Sequence, residues 1–119
     1  MAAKGFGDEG EKPLVVRGAD LGDRQCHLTV TGELDMDAAP LVRQAVEEAV
    51  DRGRNQILID AAGVTFIDSS ALVVILTART DLAEGGGTLH LTAASSPVTR
   101  ILEIAMLTDL LIDGTGDES

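Results

Sequence analysis

Three stretches of this chain repeat their apolar residues at helical spacing, and short runs of β-forming residues stand between and before them. That alternation constrains the fold more than any other feature, because strands separated by helices pair in parallel through right-handed crossovers. The clearest stripe is Ala38, Leu41, Val42, Ala45, Val46, Ala49 and Val50, a continuous apolar face. Asp37 stands where an N-cap belongs, Pro40 falls in the tolerated first turn, and Gly53 is placed to close the helix. A second stripe, Leu72, Ile75, Leu76, Arg79, Leu82 and Ala83, predicts a helix over residues 69–84. Asp68 is its expected cap and Gly85, Gly86 and Gly87 its stop. Residues 72–76 taken alone favour a strand; the longer spacing decides for a helix, buried nearly all round at its start. Val98, Ile101, Leu102, Ala105 and Met106 form the third stripe, with Ser96 as cap and Pro97 at the first helical position.

The strand signals fit between. Leu14, Val15 and Val16 follow Pro13, and residues 20–23 hold a Gly and two Asp, a turn signal. Cys26, Leu28 and Val30 then alternate with His27, Thr29 and Thr31, which predicts a half-buried strand hairpinned to the first and ended by Gly32. Ile57, Leu58 and Ile59 are apolar on both faces, as for a central strand covered on two sides. Residues 60–65 read as a loop. Leu89 and Leu91 point inward from a strand over 88–92, and Leu110, Leu111 and Ile112 close the chain as a last strand. The expected fold is α/β: a mixed, mostly parallel sheet of about five strands packed by three or four helices, in the order β-β-α-β-α-β-α-β. Residues 13–113 form the domain, and residues 1–12 and 114–119, rich in Gly and charge, read as flexible tails.

A chain of 119 residues buries about two-thirds of its surface on folding, enough for one core and no second domain. With 9 basic against 20 acidic residues, its net charge is −11. A field of that sign repels phosphate backbones and anionic membranes, so direct nucleic-acid or lipid-surface binding is not expected. Without Trp or Tyr it also lacks stacking platforms for single-stranded bases. The lone Cys26 makes no internal disulfide, and no signal peptide or membrane span is legible, so a cytoplasmic protein is expected. His27 and His90 lie on strands without cysteine pairs at ligand spacing, so neither a metal nor a cofactor is implied. The three glycines at 85–87 lack the Lys and the following helix of a phosphate-binding loop.

In open α/β sheets, sites gather where strand ends run into helix N-termini. Two polar clusters stand there: Gly32-Glu33-Leu34-Asp35 and Asp68-Ser69-Ser70. A hydroxyl at the first helical position sits over backbone N–H groups that lack intrahelical partners, at the positive end of the macrodipole. A phosphate on Ser69 would be held there without unfolding the helix. The alternative is that Ser69 and Ser70 only help to cap it. Asp35, a loop carboxylate, is expected to serve recognition and to contribute little to stability. Glu33 and Asp35 could in principle form a hydrolase pair, but nothing marks a substrate cleft beside them.

Thr31-Gly32-Glu33-Leu34-Asp35 before one helix, and Gly63-Val64-Thr65-Phe66-Ile67-Asp68-Ser69-Ser70-Ala71-Leu72 before the next, resemble the STAS domain and, more narrowly, bacterial anti-sigma factor antagonists. The resemblance runs from about residue 14 to 112. It implies a binding protein and not an enzyme, one that regulates transcription by partner switching. The unmodified antagonist binds an anti-sigma factor that is also a serine kinase, and so frees a sigma factor. Phosphorylation of the serine after the loop aspartate ends the interaction until a serine phosphatase reverses it. That serine matches Ser69, the aspartate before it Asp68, and the aspartate of the first motif Asp35; Glu33 and Ser70 fall in the same partner-binding set. The family usually has Gly where this chain has Ala71, a methyl that could crowd an approaching kinase. Two other uses of such a domain stay open at this point: a structural subunit of a stress-sensing or transporter complex, and a nucleotide-binding module.

Overall fold

The computed structural model describes residues 13–111; the expected tails, and Ile112, lie outside the described residues. Four strands form one sheet in the order β1-β2-β3-β4: β1 is Val15–Asp20, β2 Gln25–Leu34, β3 Gln56–Ile67 and β4 Thr88–Ala94. β1 is antiparallel to β2 through the hairpin, while β2–β3 and β3–β4 are parallel. Three helices connect and follow the strands: α1 Ala39–Asp51, α2 Ser69–Glu84 and α3 Ser96–Ile104. The mixed α/β architecture is the one the periodicities predict.

The fifth strand shrinks to a single point. Leu110 sits in a short 3-10 turn, Thr108–Leu110, and only Leu111 bridges to Leu91 in parallel. Leu110 is fully buried, so its apolar side chain serves the core directly and the backbone need not extend the sheet.

Strand alternation places the core. Cys26, Leu28, Val30 and Leu34 of β2, Ile57 and Ile59 of β3, and Leu89 and Leu91 of β4 are buried in one cluster. Val42 and Val46 of α1, Leu72 and Ile75 of α2, and Val98 and Leu102 of α3 close over the same face. The alternate residues His27, Thr29, Leu58, Asp60 and His90 stay only half-buried. Thus β3 is covered on one side and not on two: among the described residues, no helix packs on the other face. Leu58 is apolar because it flanks other sheet residues, not because a helix covers it.

Two strands outrun their sequence signals. β2 continues through Gly32, and β3 continues through residues 60–65, with register shifts between Thr29 and Thr31, between Gly32 and Glu33, and opposite Asp60. Bulges let the ladder persist through residues that look like a loop, and they twist the strand ends. As a result β2 and β3 deliver both polar clusters to the same end of the sheet.

Helix ends show a common device. After α1, the Arg54 amide donates to the Ala49 carbonyl (2.9 Å) and the Gly53 amide to that of Val50 (2.8 Å); after α2, Gly87 donates to Leu82 (2.7 Å) and Gly86 to Ala83 (3.0 Å). These paired bonds need a left-handed residue, supplied by Gly53 (φ +89°) and Gly86 (φ +88°). α3 closes in the same way, Leu107 to Leu102 (2.8 Å) and Met106 to Glu103 (3.1 Å), but the left-handed residue is Met106 (φ 60°). The third stripe therefore stops short of its sequence limit. Ala105 and Met106 lie beyond the helix, and Met106 is 87% exposed. The cap of α3 is Ser95, one residue before the Ser96 expected, and it makes no side-chain cap bond.

Cys26 is fully buried in β2, below the β1–α1 seam. Burial, reinforced by nearby Asp20, pushes its thiol above the ordinary value of 9.0. Asp20, at the end of β1, takes a two-pronged contact from Arg52 (2.9 and 3.2 Å), and Arg54 Nε lies 3.3 Å away. The Arg52 hydrogen bond, with the charges of Arg52 and Arg54, holds the Asp20 carboxyl below its ordinary value against the opposing effect of partial burial.

Candidate partner-recognition site

α2 begins where the sequence predicts because Asp68 caps it. Asp68 leaves β3 in an extended conformation, and its Oδ1 accepts from the Ala71 amide at 2.9 Å. Its second oxygen does something the sequence does not announce. Asp68 Oδ2 accepts from the Met36 amide at 3.2 Å, across 32 positions of chain. One carboxylate thus ties the loop after β2 to the start of α2.

Asp35 acts locally. Its Oδ1 accepts from the Ala38 amide at 2.9 Å, and its carbonyl accepts from the amides of Ala38 and Ala39. Asp35, and not Asp37, therefore organises the first turn of α1; the formal cap position is Ala38, and Asp37 is exposed. The expectation that Asp35 contributes little to stability is corrected by that bond.

Ser69 and Ser70 are exposed on the first turn of α2. Among the described residues their amides have no intramolecular acceptor, whereas those of Ala71 and Leu72 are satisfied by Asp68. Two free N–H donors and the positive helix end thus flank the Ser69 hydroxyl. Ala71 is fully buried, so its methyl faces the core and leaves room for an approaching partner. Glu33 lies opposite Phe66 in the ladder, half-buried on the sheet face away from the helices. The structure joins Asp35–Met36 to Asp68–Ser69 through the Met36 bond; among the described residues no hydrogen bond links Glu33 to them.

Sequence reasoning missed the apolar residues around this end. Met36 and Phe66 are exposed, and Val73, one turn along α2 from Ser69, is 58% exposed. The start of α2 is therefore not buried all round. The i, i+4 relation of Ser69 and Val73 was the available signal, since it puts both on one helix face. Exposed apolar side chains grouped beside polar ones mark interaction surfaces.

A family model described as "Mlab, STAS domain" matches residues 17–113. The chain belongs to the STAS domain family. Its relatives include the anti-sigma F factor antagonist of Paenibacillus polymyxa, 32% identical over 79 residues, which span 66% of this chain and 68% of that one. Among solved structures, the anti-sigma factor antagonist SpoIIAA in its unphosphorylated form superposes with a TM-score of 0.74 at 21% identity, covering 87% of this STAS domain chain and 91% of SpoIIAA. The phosphorylated form of the Bacillus cell fate determinant SpoIIAA gives 0.69 at 20% identity, covering 87% and 95%. Identities this low speak to the fold. No helix among the described residues is long and apolar enough to cross a membrane.

Proposed function

We infer that this STAS domain is an anti-sigma factor antagonist whose affinity for its partner is switched at Ser69. The observation that carries the reading is the Asp68 carboxylate, which clamps two loops together and leaves the Ser69 hydroxyl exposed between them. The partner is an anti-sigma factor with serine kinase activity, met in the cytoplasm. Its footprint takes in Asp35, Asp68, Ser69 and Ser70, with Glu33 at the margin and Met36, Phe66 and Val73 as apolar contacts. The chain itself catalyses nothing: the kinase moves the γ-phosphoryl of ATP to Ser69 Oγ, ADP leaves, and a serine phosphatase later hydrolyses the ester.

Phosphorylation adds about −1.5 to −2 charge beside Asp68. The two free amides and the helix end stabilise it by up to ~2 kcal/mol, so the modified domain stays folded. A partner surface shaped for a neutral hydroxyl meets a dianion instead. A loss of ~4 kcal/mol weakens binding about a thousandfold.

Incubation with the cognate kinase and ATP, followed by peptide mass mapping, tests the assignment. Phosphate is expected on Ser69; phosphate on Ser70 or Thr65 alone overturns it. Ser69→Ala is expected to bind the anti-sigma factor like the wild type and Ser69→Asp to bind weakly. Calorimetry with ATP and GTP on the isolated chain separates this reading from a nucleotide-binding module, which alone would give heat without a partner.

A further inference from the structure

Away from Ser69, a cavity of about 250 Å³ opens between α1 and α2 toward the C-terminal ends of both helices. Its floor is apolar, formed by Val46, Ala78 and Leu82. Its rim is acidic: Glu47, Asp51 and Asp81 border it, and the one cation there, Arg43, is already paired with Glu47 at 3.1 Å. Asn55 also lines it, and the Asn55 Oδ1 is buried with no hydrogen-bond partner. An acceptor left in that state costs stability unless a donor reaches it.

Helix electrostatics point the same way. α1 and α2 both end beside this cavity, each with the negative end of its macrodipole, and neither has a basic residue in its last turn. Asp81 and Glu84 add negative charge to the last turn of α2, where negative charge is unfavourable. An apolar slot, a carboxylate rim, an unsatisfied buried acceptor and two negative helix ends select one ligand chemistry: an N–H-donating cation on a hydrocarbon stem.

We propose that this cavity is a binding site for a small aliphatic amine in its ammonium form. The stem lies on Val46, Ala78 and Leu82, and the ammonium faces Asp51, Asp81 and Asn55. The site is separate from Ser69, so it stands or falls independently of the phosphoswitch.

The test is an amide NMR titration of the full chain with n-hexylammonium, n-hexanol and hexanoate at matched ionic strength. Saturable shifts at Asp51, Asn55, Ala78, Leu82 and Gly85 are expected with the amine, weaker ones with the alcohol and none with the acid. Asp81→Asn, a change at an exposed position, should weaken amine binding about tenfold, the loss of one charge-assisted contact. Ala78→Leu should fill the slot and abolish it. Equal shifts with all three compounds would reduce the cavity to a greasy groove without charge preference and overturn the proposal. So would shifts that do not saturate, or that fall elsewhere.

Discussion

Asp35 and Asp68 are both carboxylates at strand ends, yet they hold the molecule together differently. Asp35 satisfies an amide three residues on; Asp68 satisfies one amide of its own helix and one in a distant loop. Asp35→Ala should therefore cost about 1 kcal/mol, a typical capping loss, besides weakening partner recognition. Urea denaturation reads the first effect and titration with the anti-sigma factor the second; unchanged stability would return Asp35 to a purely recognising role. Met106 presents the opposite case, a residue in a conformation its side chain resists. A left-handed non-glycine residue costs roughly 1–2 kcal/mol, and the exposed Met106 side chain recovers little of it by packing. Met106→Gly is expected to raise stability by about 1 kcal/mol, read as a higher thermal midpoint. Neither feature was legible in the sequence. Asp37 satisfies the same capping pattern as Asp35, and which carboxylate turns inward depends on how the chain leaves β2. Met106 continues a helical stripe that the backbone abandons one turn earlier.

The helices were legible because their apolar residues recur over several turns, and a long repeat averages out local ambiguity. Strand limits were not, because pairing with a neighbour decides them. Residues 60–65 contain Gly and Asp and look like a loop, yet Gly63, Val64, Phe66 and Ile67 find partners on β2. The last segment errs the other way. Leu110, Leu111 and Ile112 have strand propensity, but burial of Leu110 is achieved by a 3-10 turn with one bridge. Leu110→Ala should cost about 2–5 kcal/mol, the usual loss at a buried leucine, although the residue lies outside the sheet. A cost under 1 kcal/mol would mean that the turn is an appendage to the core and not part of it. The candidate site divides along the same line. Ser69 and its Asp68 cap follow from local chemistry, whereas the link to Met36 is a long-range contact that no local pattern encodes.

Across the whole molecule, the response to pH has two limbs with separate origins. Asp20, held below its ordinary 3.8 chiefly by Arg52, binds protons less readily when folded. Its contribution is complete above the unfolded value and is lost as pH falls through the lower folded one. Cys26 behaves in the reverse sense. With its thiol raised above 9.0, stability is intact below that value and declines as pH rises toward the folded one. Urea midpoints across the pH range should fall at both extremes, with Asp20→Asn flattening the acid limb and Cys26→Ala the alkaline limb. A profile unchanged by both substitutions would locate the titrating groups elsewhere. The sealed thiol has a practical corollary. Because the native sulfur is walled off and stays protonated at neutral pH, a maleimide dye will ignore it and couple only to a cysteine introduced outside. A fluorophore on the helix-free side of the sheet, at Thr29→Cys for example, can then report docking at the far end without a cysteine-less background.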